Sequence, residues 1–267
     1  MPRISKIFLF ISALCVIALD VYAKNSESDA NETQASDLSA WAKQQAAMLP
    51  TEVDGVTIMR PVTNADGKAE VSDLLETPNV GKDNVFIAAV VYAAENLDRE
   101  TDAIETIDFD LKRFAVKRQV KSGEGKKASA YTYTTAFQAA DGLLSFASYD
   151  IDIEYKEKGI LTRHITIEKM KPSDNKRHAE LIEDFSLCNS RWLNEMETYV
   201  KANPSLMVTH WADIKDGNVV KGMNETEVKL VGGAPVSIRK NGDRVKWMYR
   251  NDFVVIFTDG IVTTVIQ

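Results

Sequence analysis

The sequence predicts an α+β protein, an antiparallel sheet with a long helix packed on it, followed by a smaller α+β unit. Three observations lead there. Several segments between residues 104 and 170 alternate apolar with polar side chains at period two, the signature of strands with one face buried. Over residues 175–201, Leu181, Phe185, Cys188, Trp192, Met196 and Tyr199 recur at steps of three and four, which sets one apolar stripe on a long helix. After Asn203-Pro204 the chain restarts with its own helix signal and three strand-like runs.

The chain has 267 residues, of which 45% are hydrophobic and 27% charged, an ordinary folded composition. At roughly 150 residues per domain this length suggests two domains. The net charge of -7 opposes nonspecific binding to nucleic acid or to an anionic membrane surface. Three histidines and two cysteines are few for metal or thiol chemistry.

Residues 1–23 read as a signal peptide rather than as fold. Arg3 and Lys6 precede an unbroken apolar run from Ile7 to Leu19, the size of a secretory core segment and too short to span a bilayer. Val21-Tyr22-Ala23 then predicts cleavage after Ala23. Cys15 raises the alternative of a lipid anchor, but bulky Leu14 stands where lipoprotein processing requires a small residue, so no anchor is expected. Cleavage leaves Cys188 as the one cysteine, which rules out an intramolecular disulfide.

Residues 24–36 lack large apolar side chains and read as a flexible leader. A short helix is expected from Asp37, with Leu38, Trp41 and Ala42 on one side and Pro50 as its stop, so that residues 24–49 precede the first domain. That domain is placed at residues 50–203. Val53–Arg60 looks like a strand, and residues 61–83 look like a polar connection. The run from Asn84 to Leu97 is apolar nearly all round and rich in Ala, which predicts a buried helix. Strands are expected at 104–110, 113–120, 129–138, 143–156 and 160–170.

The last two of these strands predict a hairpin through the loop Glu157-Lys158-Gly159, with Lys156 opposite Ile160. The core face then carries the pairs Tyr155–Leu161, Ile151–Ile165 and Tyr149–Ile167. The outer face carries Asp152–His164, Glu154–Thr162 and Asp150–Thr166.

Residues 204–267 form the second domain. Asn224-Glu225-Thr226-Glu227 is a capping-box pattern that opens a helix closed by Gly232-Gly233 and Pro235. Three strands follow, DRVKWMY, FVVIF and IVTTVI, the last two joined by Asp259-Gly260. Pairing Phe257 with Val262 sets Val255 opposite Thr264 and leaves both faces of this hairpin largely apolar. One face is expected to carry the unit's helix, and the other to meet a partner or the first domain.

Gly222, Met223, Val228, Gly233, Pro235, Trp247, Tyr249, Phe257, Gly260 and Val262 carry a resemblance. Residues 211–267 resemble the BamE family, also called SmpA or OmlA, small outer-membrane lipoproteins of the β-barrel assembly machinery. The resemblance implies a BamE-like two-helix, three-strand domain with a role in outer-membrane assembly or integrity. Secreted inhibitors of β-lactamase are similar in fold, which implies as an alternative an inhibitor of an envelope enzyme. The chain departs from the family in lacking an acylatable cysteine. Residues 50–201 more faintly resemble an exported domain of unknown function from Bacteroidetes, with a fold like that of the TATA-binding protein (TBP).

Candidate chemistry is sparse. Asp150, Asp152 and Glu154 share a strand face with His164 across from them, a pattern that could ligate Ca²⁺ or a transition metal; it is also how a solvated strand face looks. Cys188 on an apolar stripe reads as an inert buried thiol. His178 and His210, near element ends, are expected to be exposed. Gly123-Glu124-Gly125-Lys126-Lys127 reads as a hairpin loop rather than a phosphate loop, because it joins two strands. Tyr131, Tyr133 and Phe137 form a row better placed beneath a helix than on a recognition patch. The Asn-Glu-Thr sequons at Asn31 and Asn224 read as chance. No catalytic, cofactor-binding or metal residue and no cofactor are assigned. The expectation is a non-enzymatic protein of the bacterial cell envelope, periplasmic or secreted or peripheral to the outer membrane. It would bind other envelope proteins, without nucleic acid and without a transmembrane span.

Overall fold

A computed structural model describes residues 52–98, 100–157 and 161–266, together with Leu38 and Ala40. The signal peptide with its cleavage after Ala23, Cys15, the leader at 24–36, Asn31, Trp41, Ala42 and Pro50 lie outside the described residues. Leu38 is helical and buried, as the short helix from Asp37 requires.

The chain is α+β. From Glu52 onward come the two-residue strands β1 (Glu52–Val53) and β2 (Val56–Thr57), then β3 (Val62–Thr63) and β4 (Ala69–Glu76). Helix α1 (Lys82–Asn96) follows, then the antiparallel run β5 (Ala103–Asp108), β6 (Arg113–Ser122), β7 (Ser129–Ala140), β8 (Leu143–Glu157) and β9 (Leu161–Thr166). Helix α2 (Lys176–Ala202) leads to α3 (Trp211–Lys215), α4 (Glu225–Gly232) and the strands β10 (Ser237–Asn241), β11 (Arg244–Met248), β12 (Val254–Thr258) and β13 (Ile261–Ile266). The large sheet runs in the order β3-β4-β8-β7-β6-β5, with β9 on β8; β10 to β13 form a second sheet in sequence order. No helix among the described residues is long and apolar enough to cross a membrane.

Two compact units share this chain. The first gathers the described residues up to Leu75 with Ala115–Phe137 and Ser145–Asn194; the second gathers Glu76–Phe114, Gln138–Leu144 and the chain from Glu195 onward.

In the first unit, α2 packs on the face of β7 that carries Tyr131 and Tyr133, both essentially buried. The Phe185 ring stands edge-on to Tyr133 at 5.2 Å, and Trp192 meets Phe137 at 5.8 Å. Burying one such ring contributes about 2–3 kcal/mol. Several of the polar side chains that the helix buries have an answering group. Tyr131 donates to Asp184 Oδ2 at 2.5 Å, the Thr135 and Ser148 hydroxyls bond at 2.8 Å, and Ser190 Oγ accepts the Met59 amide at 2.9 Å.

The second unit is centred on α1, buried continuously from Val85 to Ala93 as its all-round apolar sequence predicts. Phe86 meets Phe109, which meets the Trp211 ring at 5.5 Å. The Ala234 amide donates to the Ala94 carbonyl, and Lys229 pairs with Glu95, so the segment beyond α2 is tied to α1.

Several expectations change. Val53–Arg60 is not one strand, because Asp54-Gly55, both at positive φ, folds it into the β1–β2 hairpin. Residues 61–83 are not merely a connection; they contain β3 and β4, the latter burying Val71 and Leu75. The β8–β9 hairpin keeps a three-residue connection but places it one position later, so Glu157 pairs with Leu161, Lys156 with Thr162, Tyr155 with Arg163 and Glu154 with His164. That register gives Glu157 an ion pair with Arg163 at 2.7 Å and Lys156 a bond to Thr162 at 2.6 Å; Leu161 is 57% exposed rather than packed on Tyr155. Asp150, at φ 52°, marks a bulge-like break in alternation. Before it β8 buries Leu144, Phe146 and Ser148, and after it Ile151, Ile153 and Tyr155, so Tyr149 is only half-buried.

The C-terminal sheet has four strands where three were expected. The missed strand, β10, pairs with β11 through Gly242-Asp243. Phe257 does pair with Val262, but a bulge between Ile256 and Phe257 moves Val255 opposite Val265 rather than Thr264.

Candidate functional site

The carboxylate face of β8 does not assemble into a metal site. Asp152 pairs with Thr166, and only Glu154 meets His164, at 3.8 Å, with the imidazole 74% exposed. Among the described residues no group of three or more His, Cys, Asp or Glu side chains could hold a metal ion.

Cys188 is half-buried on α2, and burial together with the nearby Asp184 raises its thiol above the usual range, which favours the unreactive protonated form. The two histidines expected to be exposed are half-buried. His178 lies edge-on to Tyr155 and accepts the Lys171 amide at Nδ1, while burial lowers its pKa. The Gly123–Lys127 segment joins β6 to β7 as expected, closing with a 3-10 turn over Gly125–Lys127. Gly123 has φ 67°, and a Cβ there would stand 2.8 Å from the Lys127 carbonyl oxygen. Asn224 is engaged in the capping box, accepting from the Glu227 amide at 2.9 Å, and its amide donates to the Met207 carbonyl.

Glu227 has a second role that the sequence did not reveal. Its side chain is 1% exposed and accepts from the Thr209 amide at 2.5 Å, the Asn224 amide at 2.8 Å, the His210 amide at 2.9 Å and the Thr209 hydroxyl at 3.0 Å. His210 Nδ1 lies 3.1 Å from the carboxylate. Burial alone would raise this carboxyl; the amides and the His210 ring outweigh it and hold the pKa at about 2. An ionised carboxylate only accepts, so Nδ1 carries a proton. The cluster fastens the start of α3 to the start of α4.

An open groove of about 240 Å³ in the same unit is lined in part by Asp83, Asn84, Thr209 and Trp211. Asp83 is paired with Lys112 at 3.1 Å, whose ammonium also lies over Trp211.

The C-terminal sheet presents the better-defined surface. Its register sorts the side chains into two faces. Trp247, Val255, Phe257 and Val262 are buried on one, where Lys229 of α4 lies over the Trp247 ring. The other face carries Ser237, Arg239 and Asn241 of β10, Arg244, Lys246 and Met248 of β11, Val254, Ile256 and Thr258 of β12, and Ile261, Thr264 and Ile266 of β13. Ile261 is 43% and Ile266 49% exposed. This outer face has an apolar centre, a cationic border on β10 and β11, and no carboxylate at any of these positions. The two-sided apolar pattern of FVVIF and IVTTVI pointed to it; the cationic border did not emerge until β10 was in place.

No family model matches the chain, and no curated protein matches it. Two solved structures are similar to it. One is a TBP-like protein from Parabacteroides distasonis ATCC 8503, 16% identical, covering 53% of this chain and 97% of that one, with a TM-score of 0.43. The other is a DUF4468 family protein from Bacteroides ovatus ATCC 8483, 15% identical, covering 55% and 92%, with a TM-score of 0.40.

Proposed function

We propose that the chain is an exported, non-enzymatic protein-binding or scaffolding module of the bacterial cell envelope, acting through the outer face of its C-terminal sheet. The observation that carries this reading is the exposure of Ile261 and Ile266 on a face whose opposite side already buries the unit's own core. Export is supported by the basic start and the Ile7–Leu19 run. The BamE resemblance of residues 211–267 supports a link to outer-membrane assembly or integrity.

The test is capture from an envelope extract with full-length protein, wild type against a variant carrying Ile261→Gln and Ile266→Gln. A partner retained by wild type and lost by the variant, with both melting cooperatively, supports the reading; equal recovery of every protein by both overturns it. Mass spectrometry of the mature N-terminus checks export separately, with a start at Lys24 expected.

A further inference from the structure

We infer that the outer face of the β10–β13 sheet docks an acidic polypeptide segment, a partner that turns carboxylates and small apolar side chains to one side. This deepens the binding reading above and rests on it. Charge complementarity carries it. Elsewhere in the described chain some cations stand beside carboxylates: Arg60 with Glu183, Lys112 with Asp83, Lys201 with Glu197, Lys215 with Asp110. Arg239, Arg244 and Lys246 are gathered instead on one sheet face that carries no carboxylate. None has a carboxylate partner among the described residues, although the protein carries 39 acidic side chains against 32 basic ones.

Their placement sharpens the point. Arg239 and Lys246 are direct cross-strand partners on the outer face, and Arg244 lies two residues from Lys246 on the same strand face. Like charges directly opposite destabilise a sheet. A row of carboxylates laid over them would relieve that repulsion, while Met248 farther along β11, and Val254, Ile256 and Ile266 on β12 and β13, would receive apolar side chains turned to the same side of the segment. The spacing of about 7 Å between alternate residues of one strand matches that of alternate residues in an extended segment.

A second copy of this chain meeting the same face does not fit, because that face would bring cations against cations and offer no carboxylate. An anionic bilayer fits less well than a polypeptide. The rest of the chain carries the whole negative excess and would be repelled, and the face lacks the Trp, Phe and Leu side chains with which membrane-surface elements insert.

The test uses the full-length protein and a fluorescent peptide of about ten residues built from Glu, Val and Thr, with both Glu and Val at the alternate positions of one strand face, a length matched to a strand. The control is the same peptide with Lys for Glu, and vesicles of phosphatidylglycerol and phosphatidylcholine form a third arm. The acidic peptide should bind more tightly as salt is lowered, the Lys peptide should not bind, and the triple variant Arg239→Glu, Arg244→Glu, Lys246→Glu should weaken binding at least about tenfold, a change of about 1.4 kcal/mol. Replacing both arginines by Lys should retain it. Equal binding of the two peptides, or no effect of charge reversal, overturns the inference. So does salt-dependent vesicle binding that charge reversal abolishes while the acidic peptide is ignored; that outcome assigns the face to a membrane. If extract capture depends on Ile261 and Ile266 but not on the three cations, the binding reading stands and this inference alone falls.

Discussion

A carboxylate surrounded by backbone amides and almost sealed from water should titrate far from its ordinary range, and Glu227 does, at about 2 against 4.5. Because the folded pKa lies below the unfolded one, its stabilisation is complete above about pH 4.5 and is lost as pH falls toward 2. Glu227→Gln should therefore lower stability at pH 7 by about 3 kcal/mol, since an amide nitrogen would face donors that need an acceptor. Urea melts from pH 7 down to pH 3 check both parts: the gap between wild type and variant should hold near neutrality and narrow on the acid side. The first role of this residue was legible, because Asn224 and Glu227 are three apart in a capping box. The second was not, because Thr209 and His210 lie 17 to 18 positions away and no local pattern announces such a contact. Tyr131 follows the same logic. Its place in a buried aromatic row was legible, but the bond to Asp184 was not. Tyr131→Phe should cost about 1–2 kcal/mol in a denaturant melt, because Asp184 loses a donor in a largely enclosed site.

Whether an element could be read from the sequence depended on how regular it is. Helices α1 and α2 declare themselves, one by an all-round apolar run and the other by its stripe, and both form close to their expected bounds. Strand β8 is read correctly as a strand and incorrectly as uniformly alternating. A single residue at φ 52° shifts the buried set by one, and nothing in Ser148-Tyr149-Asp150-Ile151 separates that break from ordinary alternation. Strands β4 and β10 were missed because charged residues dilute their apolar signal; in β10, Arg239, Lys240 and Asn241 outnumber Ile238. The break at Asp150 gives a prediction suited to this scale. Asp150→Gly should leave stability unchanged within about 0.5 kcal/mol or raise it, because glycine tolerates the left-handed region. Asp150→Val should cost about 1–2 kcal/mol, since a β-branched side chain is strained there. Thermal melts of the two variants check the order, and a Val variant as stable as wild type would remove the strain argument.

At the scale of the molecule, the segment after α2 is bound to a helix far back in the sequence. Lys229 pairs with Glu95, the Ala234 amide reaches the Ala94 carbonyl, and the Phe109 ring meets Trp211 edge-on, so the compact unit that holds the C-terminal sheet also holds residues 76–114. The sequence marked Asn203-Pro204 because the helix stops there, and α2 does end at Ala202. Helix ends are legible in Pro and Asn; which distant helix a later segment packs against is not, since α1 shows apolar residues on every side and names no partner. The consequence can be measured. A fragment of residues 204–267 retains β10–β13 and α4 but loses α1, leaving the apolar side of α4 and the Trp211 ring in water. It should unfold without a sharp transition and bind a hydrophobic dye, whereas the full chain should melt cooperatively. Adding back α1 as a synthetic peptide, residues 80–98, should raise the fragment's melting temperature. A fragment that melts as sharply as the full chain and ignores the peptide would show that the sheet and α4 suffice for a core of their own, and that the ties to residues 94 and 95 contribute little.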